Sequence, residues 1–223
     1  MGKIFNLDSP VMTFLTKVAD LIILNFVALI CCIPIITIGA SMTGLHYVAL
    51  KIVRNEECYI IKSFFKSFKQ NFKQATVIWL ILLVVYGIFA ADVYLFVFSG
   101  SEFPTWMLIL FAAVAGLTTL GTAHAFPILA RFDNTVRNTL KNSFLLGILI
   151  FPKTILEVLC WAIPWAILYF LPQITPIAFC FLLSGPALLG ALLYNRRFKM
   201  LEPEAEDITS DEEWTVPVEG EEE

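Results

Sequence analysis

The sequence predicts an all-α fold, a polytopic membrane helix bundle of about five transmembrane helices with a cytoplasmic amphipathic helix at the interface. Three observations carry this. Of 223 residues, 58% are hydrophobic and only 15% charged, with a mean hydropathy of +0.79; a soluble domain has about 25% charged residues. The charges are segregated, and the uncharged runs between them are long enough to cross a hydrocarbon core of about 30 Å, which takes roughly 20 helical residues. The basic residues gather in alternate connections, the pattern of a chain that crosses a membrane several times. Helices suit these runs because a backbone polar group in lipid needs a partner within its own segment.

The first span is expected over about 18–38, between Lys17 and Gly39. The second runs over about 75–98 and the third over about 106–130. The apolar stretch 144–171 is too long for one straight span and holds Pro152, Lys153, Glu157 and Pro164, so the fourth crossing is placed at about 154–171. The preceding turns then lie at the interface or tilt into the membrane. The fifth span covers about 174–194. Orientation follows from Lys and Arg. Lys51, Arg54, Lys62, Lys66, Lys69, Lys73, Arg131, Arg137, Lys141, Arg196, Arg197 and Lys199 fall on one side, whereas the connections 99–105 and 171–176 carry none. That side is read as the cytoplasm of a bacterial cell, with the N-terminus outside and the C-terminus inside. Lys3 and Lys17 sit on the wrong side of this scheme, and a first segment that re-enters at 34–39 is the alternative. No cleavable signal peptide is expected, because 21–33 lies beyond Asp20 and no Ala-x-Ala-like site follows.

Residues 41–74 read as too polar to span, with a helical piece near 43–54, a turn at Asn55-Glu56-Glu57 and then SFFKSFKQNFKQ. There Phe64, Phe68 and Phe72 repeat at i, i+4 and i+8 with Phe65 beside them, and Lys62, Lys66, Lys69 and Lys73 repeat on an adjacent face. This describes a basic amphipathic helix over 62–74, its phenylalanines in the acyl boundary and its lysines at anionic headgroups or a partner protein. It runs into the second span without a breaker. Nucleic acid is excluded as a partner, since the segment joins two membrane spans.

These residues also carry a resemblance. Asn25 in the first span, Pro34, Thr37, Gly39 and Ala40 at its end, Lys51 after a short helix, and then Phe64, Phe65, Phe68, Asn71 and Phe72 resemble the N-terminal signature of the YesL family of small bacterial membrane proteins. The resemblance implies a five-helix membrane protein, mostly of Gram-positive bacteria and often encoded near sugar ABC transporters and their regulators. It supplies no catalytic residue and no cofactor.

Ionisable and polar groups inside spans are the default candidates for function, since each costs about 2.5 to 3.5 kcal/mol at a helix centre on insertion scales. They are Asn25, Asp92, His124, Lys153 and Glu157. Asp92 reads as hydrated near the outer interface. Lys153 and Glu157, at i and i+4, share a helix face on which they can neutralise one another. His124, two residues before Phe126-Pro127, reads as a lone imidazole bonding a neighbouring helix, and His46 as an unpaired loop residue. No second His, Cys or carboxylate stands at metal-ligand spacing from His124, and no GxSxG, HExxH, P-loop or GxGxxG is present. No catalytic, cofactor or metal site is therefore expected. The five cysteines read as packing residues. Ala112, Ala115, Gly116, Thr119 and Ala123 form a small-residue stripe suited to close helix packing.

The net charge of −4 averages two regions. Residues 202–223 hold eleven Asp and Glu and no Lys or Arg; 1–201 hold all fifteen basic residues. Residues 201–223 are therefore expected to form a disordered cytoplasmic tail, which could dock on the Phe/Lys helix through Ile208, Trp214 and Val216. The functional expectation is a non-enzymatic accessory or interaction protein of the bacterial plasma membrane, associated with carbohydrate uptake or its regulation through the resemblance. Its partners would be anionic lipid and sugar ABC transporter components. A small transporter or channel in its own right is the alternative.

Overall fold

The computed structural model describes residues 10–56, 59–98 and 104–202. The expected tail therefore lies outside the described residues, apart from its first two. Among these described residues nine α-helices follow one another: α1 (Pro10–Cys32), α2 (Ile38–Arg54), α3 (Ile60–Phe98), α4 (Thr105–Thr122), α5 (Ala125–Arg131), α6 (Val136–Leu149), α7 (Phe151–Phe170), α8 (Thr175–Cys180) and α9 (Ser184–Leu201). Among the described residues there is no strand. Five helical segments are long and apolar enough to cross a membrane: Val11–Cys32, Ile35–Arg54, Ile60–Phe96, Trp106–Arg131 and Phe151–Phe170. The pair α8 and α9, bent by 61°, forms a sixth if taken as one broken span.

The chain breaks inside the expected first span. Proline has no N–H to donate and disfavours helix in the residue before it, so α1 ends at Cys32, just before Ile33-Pro34. A 3-10 turn at Ile35–Thr37 follows. The Thr37 hydroxyl stabilises this turn by bonding the Cys31 and Pro34 carbonyls at 2.6 and 2.7 Å. The chain then reverses. Ser41 in α2 donates to the Ala28 carbonyl of α1 at 2.9 Å, and Lys17 near the start of α1 donates to Asn55 at the end of α2 at 2.6 Å. So α2 is a full-length apolar helix antiparallel to α1, where the sequence reading had a polar connection. Its polar side chains are satisfied inside the bundle, which composition does not show. Asn55 closes α2 in the left-handed region at φ 55°, which asparagine tolerates better than most residues.

This hairpin also moves the start of the chain. Lys17 touches Asn55, and the adjacent Arg54 holds Glu202. The start of α1 and the end of α9 thus lie at the same end of the bundle, not on opposite sides as expected. Lys17 lies at the same end of the bundle as Arg54 and Arg131.

α2 packs most extensively against α3, and glycine sets the approach. A Cβ on Gly39 would collide with the Ala75 carbonyl, and one on Gly44 would sit 3.0 Å from the Phe64 ring. α3 is one continuous helix of 39 residues, about 58 Å long at 1.5 Å per residue. The expected interfacial helix, 62–74, lies within about its first four turns. α1, α2 and α5 cover the part of α3 up to about Leu82, whereas its C-terminal half runs beside α4 with few buried side chains. α6 and α7 divide the long 144–171 run at Ile150, and Pro152 sits in the first turn of α7, where its missing N–H leaves no partner unmet.

Candidate functional site

One helix break and three helices, α2, α7 and α9, bring a polar cluster into the bundle. Pro127 cannot donate to the Ala123 carbonyl, and the α4–α5 connection breaks there. That break presents His124 to the interior, fully buried. Across from it, α7 contributes Thr154 and Glu157, one turn apart on its inward face. His124 Nε2 lies 3.0 Å from Thr154 Oγ1, and Nδ1 lies 3.1 Å from Glu157 Oε2, with both side chains of the pair 1% exposed. The Thr154 hydroxyl also lies 3.2 and 3.3 Å from the Gly147 and Ile150 carbonyls; in the tautomer in which it donates to them, it accepts from a protonated His124 Nε2. The approach of Nδ1 to Oε2 is close but not aligned as a full hydrogen bond, and Oε1 has no hydrogen-bond partner among the described residues. Oε1 rests against Gly190 of α9, where a Cβ would come within 3.1 Å of it.

The cluster extends to α2 and α9. Tyr194, buried in α9, stands edge-on to the His124 ring at 6.0 Å and bonds His46 Nδ1 through its hydroxyl at 3.1 Å. His46 is thus a buried helix residue with a partner, where the sequence reading left it unpaired in a loop. His124, expected to bond one neighbouring helix, meets α7 and α9 together. Glu157 faces His124, and the expected neutralisation by Lys153 is not formed: Lys153 is exposed and reaches the Leu193 carbonyl at 3.3 Å. Glu157, one turn deeper along the same face of α7, meets His124 in the core, whereas Lys153 in the first turn stays at the bundle's surface.

The other candidates lie apart. Asn25 is fully buried in α1 and serves the break between α8 and α9. Its Oδ1 accepts from the Leu183 and Ser184 amides at 2.8 and 3.3 Å, and its Nδ2 donates to the Phe179 carbonyl at 2.9 Å. It supplies the backbone partners that the interrupted helix lacks. Asp92 is half-buried on α3 beside a cavity of about 240 Å³ lined by Phe89, Leu108, Ala112 and Ala115. The small-residue stripe of α4 therefore opens in part onto a cavity, not onto a closely packed neighbour.

The aromatic face of the 62–74 segment lies against protein, not in the acyl boundary. Phe64 is fully buried, Phe68 and Phe72 are half-buried on the core, and Phe65 is exposed. The reason is α2, an apolar partner for that face in the folded chain. Lys62, Lys66, Lys69 and Lys73 all point outward, exposed, and form no ion pair among the described residues. Below them, Glu202 ties the bundle's end together. Arg54 binds it in a bidentate fork at 2.6 and 3.0 Å, and Arg131 binds it at 2.8 and 3.1 Å. Partial burial pushes this carboxyl up, but the Arg54 and Arg131 hydrogen bonds outweigh it and hold the pKa at about 2. Among the described residues, no three His, Cys, Asp or Glu side chains are grouped to hold a metal.

The arrangement defines a multi-pass, all-α membrane bundle with a buried polar centre and an exposed basic face. Residues 21–93, from α1 through most of α3, match a protein family described as "Protein of unknown function, DUF624". The match covers about a third of the chain and includes Asn25, Gly39 and the Phe/Lys segment. No curated protein and no solved structure matches the chain.

Proposed function

We propose that this chain is a YesL-type, non-enzymatic accessory protein of the bacterial plasma membrane that contacts a component of a carbohydrate uptake system. The carrying observation is the lysine face of α3. Four exposed, unpaired lysines ride on a helix whose opposite, aromatic face is already buried against α2. A charged surface held rigid in this way suits a partner with acidic side chains or anionic lipid headgroups better than free insertion into lipid does. Two further points support the reading. His124 and Glu157 are 1% exposed, so no substrate reaches them without opening the bundle. Lys17 beside Asn55, together with the positive-inside rule, supports a cytoplasmic position for the start of α1 and the end of α9, on the side of the lysine face.

Affinity capture from native membranes tests this, comparing the wild type with K62E/K66E/K69E/K73E. The expectation is recovery of sugar ABC transporter subunits by the wild type and their loss in the variant. Equal recovery by both, or recovery of none, would sink the reading. A second reading, a small transporter, is favoured by the His124–Glu157 pair, since ionisable groups inside a membrane bundle commonly mark ion paths. Proteoliposome uptake abolished by Glu157→Gln but unaffected by the lysine variant would select it.

A further inference from the structure

We infer that the His124–Glu157 pair is a proton-binding site whose single exchangeable proton holds the α4–α5 break, α7 and α9 together. This goes beyond the accessory reading and does not depend on it.

The proton count follows from the hydrogen bonds. The tautomer taken is the one in which Thr154 gives its hydrogen to the Gly147 and Ile150 carbonyls and His124 Nε2 donates to Thr154. With Nε2 protonated, a neutral ring presents the Nδ1 lone pair to Glu157 Oε2 at 3.1 Å. Two acceptors at that distance repel unless a proton lies between them. With one there, the pair is neutral, either as imidazole and carboxylic acid or as imidazolium and carboxylate. Releasing it to water leaves a carboxylate facing a lone pair, a net negative charge in a site 1% exposed.

The surroundings do not offset that charge. From α2 comes His46 and from α9 Tyr194, which bond each other at 3.1 Å. α7 itself adds Cys160, within electrostatic range of Glu157. α6 contributes a backbone carbonyl, Gly147, through Thr154. Arg54 reaches Tyr194 through its field but is engaged by Glu202. Among the described residues, His124 is the one ion-pair partner Glu157 has. A buried carboxylate left without a partner is strongly destabilising, so occupancy by the proton is coupled to the packing of these helices.

The basic end of the bundle lies one turn of α7 from the pair. A cleft of about 470 Å³ at the start of α7 is lined by Ile150, Lys153, Arg196 and Arg197. The Ile150 carbonyl binds the Thr154 hydroxyl, which binds His124 Nε2. The imidazole of His124 can take the proton from Glu157 or return it, so the pair holds it in either form. Glu157 Oε1, unpartnered against Gly190, leaves the carboxyl free to turn as it gains or loses the proton.

Infrared difference spectroscopy on the full chain in lipid nanodiscs, titrated between about pH 5 and 10 to bracket the ordinary histidine range, tests this. Expected is a titrating carboxyl or imidazole ring band in the wild type that is lost in E157Q, whose amide can still donate to Nδ1 and keep the fold. The same titrating band in E157Q, or no titrating band in the wild type, overturns the site. Should E157Q not fold, G190A presses on Oε1 without changing any titratable group. A shifted midpoint in G190A then supports the assignment to Glu157, and an unshifted one overturns it.

Discussion

Two parts of the bundle share an apolar composition and differ in what covers them. The Ile35–Arg54 segment has 56% of its most apolar stretch buried inside the protein, against 11% for Ile60–Phe96 and 6% for Trp106–Arg131. α2 is enclosed by α1, α3, α5 and α9, and it carries Ser41, Thr43 and His46, each with a hydrogen-bond partner. The C-terminal half of α3 and α4 turn Val84, Ile88, Leu95, Ile109 and Leu110 outward. Hydrophobicity alone does not distinguish a helix that packs on helices from one that faces lipid. Small and polar residues do, because they bring backbones close and join side chains across helices. The enclosed part should therefore punish substitution and the outward part tolerate it.

The largest effect should come from the polar centre. His124→Ala leaves Glu157 buried without a partner, which costs about 3 to 5 kcal/mol when one member of a buried pair is removed. Glu157→Gln should cost far less, because its amide donates to Nδ1. Unfolding in a denaturing-detergent titration measures both. Equal losses for the two variants would mean that the pair is not what holds these helices.

Next is the α2–α3 contact. A side chain at Gly39 meets the backbone of Ala75 and the Trp79 Cβ at 2.7 Å, and backbone cannot rotate away. Gly39→Val should cost about 3 kcal/mol, the upper end for overpacking, and should lower the melting temperature in detergent. An unchanged melting temperature would show that α2 and α3 separate more easily than their contact implies. Asn25→Leu comes third, at about 1 to 3 kcal/mol for stranding buried backbone groups, since the Leu183 and Ser184 amides and the Phe179 carbonyl lose their partner. Hydrogen exchange at Leu183 and Ser184 should rise more than in α7.

These same residues show what the sequence made legible. Fold class came from run lengths and charge segregation, which depend on local composition. The end of α1 was marked by Pro34, but the return of α2 was hidden by its polar residues, whose partners lie 13 and 148 positions away. The Phe/Lys stripe showed the right two faces and the wrong medium for one of them, because α2 was not recognised as a helix able to cover it. Glu157 had a local partner on paper in Lys153, and its actual partner stands in a break of another helix. Pro127, three residues after His124, was the available signal for that break.

At the basic end, the Glu202 clamp should respond to pH in a defined window. Its carboxyl titrates at about 2 in the folded chain against an ordinary 4.5. The clamp's contribution is therefore complete above about pH 4.5 and is lost as pH falls toward 2. Glu202 is part-exposed, so solvent screens the effect and it should be modest. Melting temperature should fall over that window in the wild type more than in Glu202→Gln, and parallel curves would remove the clamp from the list of stabilising contacts.

The smallest effect bears most directly on the comparison. A Cβ on Gly116 in α4 would meet nothing within 4 Å, and the same holds for Gly87 in the outward half of α3. Alanine is favoured over glycine in a helix interior by about 1 kcal/mol, so with no clash to oppose it Gly116→Ala should be neutral or slightly stabilising. Gly39 and Gly116 are both helical glycines in apolar surroundings, and composition gives no reason to treat them differently. If Gly116→Ala instead lowers the melting temperature by as much as Gly39→Val does, then α4 has a close neighbour on its small-residue face. That neighbour would lie outside the single folded chain, and the outward part of the bundle would be an interface with another helix, not with lipid.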